Sequence, residues 1–250
     1  MKKNILFSMM VLAAGPLLAA PKDDVKAAAT ALGDAANYTW QTTVDMGADS
    51  PFQMGPTDGK TEKGGFTTVS MSMMDNTSTV VLKGTNAAVK TDNGWQTVAE
   101  AMQGGGGDGG FNPGMMIVGQ AQNIKLPAVE AAGLVGLAGD LKADGDKITG
   151  DLTTDGAKEQ LSMRGRGRRG GGGPGGPGGP GGGGPEVTNP KGTVTFWITD
   201  GKLTKYAFHV SGSMSFGGND MEMNRTTTVA IKDVGTTKLE VPDDAKKKLQ

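Results

Sequence analysis

The chain has 250 residues, 25 basic and 26 acidic side chains, and a formal net charge of −1. Because a nearly neutral chain has no strong attraction to polyanions, the composition argues against nucleic acid as a partner. There is no cysteine and one histidine, which excludes disulfides and thiol chemistry and leaves little room for His-based metal or acid–base sites.

The first twenty residues have the pattern of a secretory signal peptide. Lys2 and Lys3 supply the positive start, residues 5–14 form an apolar run, and residues 17–20 end in small side chains. Gly15-Pro16 interrupts the run, which is shorter than the ~20 residues that a membrane-spanning helix needs. We therefore expect residues 1–20 to be removed, no integral membrane segment in the mature chain, and a location in the periplasm or outside the cell.

The first half of the mature chain predicts one helix and a strand meander. Residues 23–36 have an apolar stripe at helical spacing, with two acids in the first turn, where the helix dipole favours them. Residues 38–45 alternate as a strand, and residues 46–58, with two prolines, predict an irregular loop. Further strands are predicted at 59–63, 66–73, 76–83, 87–91 and 95–98.

The middle of the chain predicts helices, a hairpin and a low-complexity insertion. Residues 104–110 form a flexible glycine run. Helices are predicted at 113–124 and 127–137, each with a proline near its first turn, the second ending at a glycine cap, Gly139. A short hairpin over 141–152 and a helix over 154–163, capped by Thr153 or Thr154, follow. The Gly/Arg/Pro-rich insertion, residues 164–190, is predicted to be disordered because its core, 164–185, has no apolar surface to bury.

The last part predicts three long antiparallel strands, at 193–199, 203–216 and 221–231. Asp200-Gly201 favours a tight hairpin turn, since both residues tolerate positive φ. Aromatic, aliphatic and methionine side chains occupy one face of these strands, and this face must be buried against something. A short basic helix over 243–249 ends the chain. We predict a single α+β domain, residues 21–250: a curved antiparallel β-sheet, or half-barrel, with helices 23–36 and 127–137 across its concave face.

The order of these elements resembles the LolA-like periplasmic lipoprotein-carrier superfamily, which has the LprG and LppX lipoproteins as relatives. The resemblance is carried by Asp144-Gly145, by 148–152 (ITGDL), by Asp200-Gly201 with Tyr206 and Phe208, and by the ending 226–242. The composition and order of segments along the whole chain are also similar to those of a family of exported bacterial proteins. Membership would imply a half-barrel that holds acyl chains between sheet and helices, with a lipid or lipoprotein acyl chain as the partner.

Seven side chains on the apolar face are the candidate ligand-binding residues. Two interpretations stay open: a pocket for an apolar ligand, to which adaptable methionines are suited, or a filled core. The seven residues are Trp40, Val69, Met71, Leu82, Phe196, Phe208 and Met214.

Two other patterns have alternative interpretations. Met71-Ser72-Met73 and Met221-Glu222-Met223 each place two thioethers on one strand face, and thioethers select Cu(I); His209 is a further candidate ligand. The same methionines also suit a core. Four arginines in residues 164–169 indicate attachment to anionic envelope lipid or polymer, or simply a solvated linker.

The sequence gives no specific catalytic set and no cofactor motif. Our first hypothesis is an exported, non-enzymatic binding protein for a lipid or acyl chain in the cell envelope. The alternatives are a structural envelope protein with a filled core and no ligand, and a methionine-based Cu(I)-binding protein. The sequence does not fix an oligomeric state.

Overall fold

The computed structural model describes residues 20–47, 54–73, 76–104, 113–121, 123–162, 186–216 and 219–250. Residues 1–19 of the predicted signal peptide, nearly all of the glycine run and most of the low-complexity insertion lie outside these ranges. Within them, every helix is too short or too polar to cross a membrane.

The described residues form eleven strands and six helices, named in chain order. The strands are β1 Asn37–Asp45, β2 Met54–Glu62, β3 Phe66–Met73, β4 Asn76–Lys83, β5 Asn86–Thr91, β6 Gly94–Thr97, β7 Ala138–Asp144, β8 Lys147–Leu152, β9 Glu186–Thr199, β10 Lys202–Phe216 and β11 Asn219–Lys232. The helices are α1 Pro21–Asp34, α2 Val98–Gly104, α3 Pro113–Ala121, α4 Pro127–Leu137, α5 Thr154–Leu161 and α6 Asp243–Lys248.

All eleven strands belong to one open antiparallel sheet with the order β6-β5-β4-β3-β2-β1-β11-β10-β9-β8-β7. Every neighbouring pair follows in sequence except β1 and β11, which join the two meanders side by side. In this join Trp40 is opposite Ile231 and Thr42 is opposite Val229. The predicted fold class, a curved antiparallel sheet with helices packed against it, is confirmed.

Strict alternation along the strands gives the sheet an apolar inner face and a mostly polar outer face. Helices α1 and α5 pack on the inner side of β9 and β10, α3 packs on β3 to β5, and α4 packs against α1 and α5. The main core lies between these helices and the sheet, and its largest fully buried side chains include Tyr206, Phe196, Ile117 and Leu134. The two helices that were predicted to cover the sheet, α1 and α4, are both part of this layer.

A second, smaller core lies on the outer face. Val81 and Ala88, on β4 and β5, are buried against Ala245 and Leu249 of the C-terminal helical segment. Residues 233–242 lead from β11 to this helix, and hydrogen bonds from the backbone N–H groups of Gly235 and Thr237 to Asn37 hold their first part beside β1. The C-terminal segment therefore runs across the outside of the sheet.

Several predicted bounds agree with the structure, but the sequence-based predictions of four elements or element ends were wrong. Strand β2 begins at Met54, inside the predicted loop, and β9 begins at Glu186, inside the predicted insertion. Helix α2 was not predicted. Gly139 is not a helix cap, because α4 ends at the extended residue Ala138 and Gly139 already belongs to β7.

Candidate functional site: a cleft between the sheet and helix α4

A cleft of about 180 Å³ opens between the inner face of the sheet and the layer of helices. Strands β1, β2, β3, β10 and β11 form its floor. The end of α3, the loop to α4, the first turn of α4 and the last turn of α5 form its walls. The lining side chains are Trp40, Thr42, Val44, Thr57, Met71, Gln120, Asn123, Ile124, Lys125, Glu130, Glu159, Gln160, Ser162, Phe208, Arg225 and Thr227.

All seven predicted ligand-binding residues have inner-face positions, but only three of them line the cleft. Trp40, Met71 and Phe208 form its apolar floor. The other four belong to the packed core: Val69, Phe196 and Met214 are fully buried there, and Leu82 is half-buried against it. Four of the seven predicted residues are therefore packed in the core, and the cleft lies beside the other three.

Trp40 is held in place from two directions. Its pairing partner on the adjacent strand β2 is Gly59. A Cβ atom on Gly59 would lie 1.9 Å from Cε2 of the indole, so the ring lies directly over this glycine. The indole N–H donates a 3.1 Å hydrogen bond to Oγ1 of Thr61, which also accepts from Thr67. Because its only polar group is satisfied, the buried ring presents a fixed apolar surface to the cleft.

The first turn of α4 is attached to the sheet beside the cleft. The hydroxyl of Tyr206 on β10 donates a 2.7 Å hydrogen bond to Oε2 of Glu130. Burial, together with the carboxylate of Glu130, raises the pKa of Tyr206 well above its usual value. Burial also raises the pKa of Tyr38, although hydrogen bonds with the Thr61 side chain and the Ala128 backbone partly oppose this. Both tyrosines are therefore neutral at physiological pH.

Arg225 brings a positive charge to the inner face of β11. Its Nη2 donates a 2.6 Å hydrogen bond to the carbonyl oxygen of Gln160, in the last turn of α5. A cation at this position interacts favourably with the negative end of the helix dipole. Arg225 therefore connects the sheet to α5 at the rim of the cleft.

Sequence reasoning missed the polar part of the cleft. Alternation along β11 places Arg225 on the same inner face as Met223 and Thr227. A charged residue on this otherwise apolar face would have indicated a polar site. Glu130 and Gln160 gave no comparable signal, because their positions depend on how α4 and α5 pack.

The two Met-x-Met motifs are too far apart to share an ion. One is on β3 and the other on β11, with β2 and β1 between them, which places the strands roughly 14 Å apart. Met71 is buried in the cleft floor, whereas Met221 is 55% exposed. His209 lies on the outer face, within 2.9 Å of Asn224, and so cannot join the inner-face methionines. Among the described residues, no group of three or more His, Asp or Glu side chains is arranged to hold a metal.

The lining divides the cleft into two chemical zones. Trp40, Met71 and Phe208 are buried and form the apolar zone, whereas Lys125 and Glu159 are exposed and Glu130 and Arg225 half-buried, and these four form the charged zone. Such a site accommodates an apolar group inside while its polar end stays at the surface.

No protein-family model matches the sequence, and no curated protein shows significant sequence similarity to it. Among solved structures, the chain is similar to the lipoprotein LppX of Mycobacterium tuberculosis, with a TM-score of 0.47 and 11% identity over 88% of this chain and 97% of LppX. It is also similar to LprF of Mycobacterium bovis, with a TM-score of 0.44 and 11% identity over 90% of this chain and 97% of LprF. LppX is one of the relatives that the sequence resemblance named.

Proposed function

We propose that this protein is an exported, non-enzymatic binding protein for an amphiphile with an acyl chain, located in the cell envelope. The observation that carries the proposal is the two-zone cleft. An acyl terminus would lie against Trp40, Met71 and Phe208, and a polar head would stay near Lys125 and Arg225. Export rests on the signal peptide pattern in residues 1–20.

The size of the cleft sets a condition on this function. A dry cavity of about 150 Å³ in another protein binds benzene, so a cleft of 180 Å³ accommodates only the leading end of an acyl chain. Each further methylene that becomes buried contributes about 0.8 kcal/mol. A long chain therefore requires α4 to move away from the sheet.

Helix α4 has the composition of a movable cover. Gly133 and Gly136 face solvent, and an added Cβ would contact nothing within 4 Å at either position. Each glycine weakens the helix by up to about 1 kcal/mol relative to alanine. Low local stability of this kind is typical of segments that open for a ligand.

Thermal unfolding of delipidated protein with a series of fatty acids and lysophospholipids tests the proposal. A ligand at a hundredfold excess over its Kd adds about 2.7 kcal/mol of stability, and about 1 kcal/mol raises the Tm of a domain of this size by roughly 2–4 °C. We expect an increase that grows with chain length, because longer chains bury more methylenes.

Two substitutions on β1 provide a matched pair. Val44 lines the cleft, whereas Thr43 is exposed on the outer face. Val44→Trp should fill the cleft and abolish the ligand-dependent rise in Tm, and Thr43→Trp should retain it. If no amphiphile raises the Tm, or if both variants respond like the unchanged protein, the cleft is not a binding site.

A filled-core structural role is the second candidate, favoured by the four predicted pocket residues that are packed into the core. Native mass spectrometry of protein purified from its own envelope separates the two functions. A co-purifying amphiphile supports the binding protein, and a bare chain with no response to amphiphiles supports the structural role.

A further inference from the structure

A larger groove, of about 620 Å³, lies on the outer face of the sheet. This volume is within the roughly 300–1,000 Å³ that small-molecule sites occupy. Its floor consists of outward-facing residues of β1 to β4 and β11, together with Trp40, Gly59 and Val69, whose side-chain positions belong to the inner face. The C-terminal segment, through Lys238 and Glu240, forms one wall. The groove and the cleft lie on opposite faces of the sheet and share only Trp40 among their lining residues, so the polar side chains of the groove are separate from the site proposed above.

Two lysines face the groove in one row across three strands. Thr39 on β1 is directly opposite Lys60 on β2 and Lys232 on β11. Adjacent strands are about 4.8 Å apart, so the two lysine backbones are roughly 10 Å apart with a threonine between them. Lys238 adds a third cation from the wall.

Within the described part of the chain, four lysines outside the groove form ion pairs, and the groove lysines belong to the larger group that does not. Lys63, Lys246, Lys247 and Lys248 each form an ion pair with a carboxylate. By contrast, the three groove lysines make no ion pair within the described ranges. Their ammonium groups face solvent and are available to an anionic ligand.

The rest of the lining offers uncharged donors and acceptors together with two carboxylates, Asp58 on the floor and Glu240 in the wall. Gln41 donates a 2.7 Å hydrogen bond to Asp58, and the hydroxyl-bearing side chains of Thr68, Ser70 and Thr79 continue the floor across β3 and β4. Such a surface forms hydrogen bonds with a ligand that carries several hydroxyl groups.

We propose that this groove binds a sugar that carries an anionic group. The phosphate or carboxylate of the sugar lies between Lys60 and Lys232, close to Lys238, where ammonium groups act as point charges. The sugar hydroxyls extend over Gln41 and Asp58.

The test is an NMR titration of the 15N-labelled mature chain with glucose 6-phosphate, glucose and inorganic phosphate as separate probes. Glucose 6-phosphate should shift amide signals in residues 39–41, 58–60 and 230–232 at millimolar concentrations. The Lys60→Ala/Lys232→Ala double variant should raise its Kd at least tenfold, about 1.4 kcal/mol. Lys238→Ala, which changes no residue of the sheet, should also raise the Kd.

Lys142→Ala is the matched control, because Lys142 is exposed on β7 and lies outside the groove; its Kd should be unchanged. Absence of shifts with glucose 6-phosphate, or equal Kd values for all variants, would overturn the proposal. If inorganic phosphate or glucose alone binds as tightly as glucose 6-phosphate, the site does not recognise an anionic sugar as a unit.

Discussion

The phenol of Tyr206, on β10, donates a 2.7 Å hydrogen bond to the carboxylate of Glu130, on α4, across 76 residues of sequence. Tyr206 is fully buried beneath the helix. The bond therefore attaches the first turn of α4 to the sheet at the edge of the cleft, and it must break or shift if α4 is to open.

Removing this hydroxyl should loosen the cover. For Tyr206→Phe we expect a loss of about 1.5–2 kcal/mol in the free energy of unfolding, because hydrogen bonds to charged groups contribute roughly 1.5–3 kcal/mol. We also expect the substitution to accelerate amide hydrogen exchange in α4 while leaving exchange in β3 unchanged. Urea unfolding and hydrogen exchange measure the two effects. Unchanged exchange in α4 would show that the bond does not control the helix.

Alkaline pH should destabilise the fold through the same side chain. Burial and Glu130 raise the pKa of Tyr206, so the folded protein keeps the phenol protonated while the unfolded chain releases its proton near pH 10. The free energy of unfolding is therefore unaffected by titration of this phenol below about pH 10. Above that pH it falls by up to about 1.4 kcal/mol per pH unit for each tyrosine whose pKa is raised in the folded state. Tyr38, whose pKa is also raised, adds to the loss.

Urea unfolding from about pH 8 to pH 11 should show this slope. Tyr206→Phe should be less sensitive to alkali than the unchanged protein, and Tyr206→Phe/Tyr38→Phe less sensitive still. Identical slopes for all three proteins would contradict the assignment to these phenols.

The same substitution, glycine to alanine, should have opposite effects at two positions. At Gly59 an added Cβ would overlap the indole of Trp40, so we expect a loss of about 1–3 kcal/mol from overpacking. At Gly133 the position is exposed and free of contacts, so alanine should stabilise α4 by about 0.5–1 kcal/mol.

Urea unfolding measures both free energies, and tryptophan fluorescence reports any displacement of Trp40 in Gly59→Ala. If Gly133→Ala also slows the uptake of an amphiphile, the opening of α4 limits binding. A stable Gly59→Ala with unchanged fluorescence would show that Trp40 is not fixed over the glycine.

Regular alternation made much of the fold predictable, and prolines lie near the two strand starts that were not predicted. Strands β3 and β4 and helix α4 have the predicted bounds. The starts of β2 and β9 were not predicted. Each of these two strand starts contains a proline next to a shift in the pairing register. Pro56 lies at the register shift between Met54 and Thr57, and Pro190 lies at the shift between Ser211 and Ser213 of β10. Prolines in strands occur at bulges and edges, so a proline near a strand start weakens the alternation signal there.

The candidate site was predictable only where it follows strand parity. Alternation placed Trp40, Met71 and Phe208 on one face, and the same rule would have found Arg225. The pairing of β1 with β11 and the approach of Glu130 to Tyr206 join residues far apart in sequence, and no local pattern determines them. The open space beside Trp40 results from these long-range contacts.

The last prediction concerns the C-terminal helical segment, which covers the outer face. Leu249 is buried against the Val81–Ala88 cluster, so Leu249→Ala should cost about 2–3 kcal/mol. The neighbouring Lys248 forms an exposed 2.8 Å ion pair with Glu100, and Lys248→Ala should change stability much less than Leu249→Ala, because solvent screens an exposed pair. Urea unfolding distinguishes the two, since one variant removes buried apolar surface and the other a solvated charge. Equal losses for both would mean that the ion pair holds the segment as firmly as the buried leucine does.

Because the same segment forms one wall of the outer groove, Leu249→Ala should also weaken binding of glucose 6-phosphate, whereas Lys248→Ala should leave it unchanged.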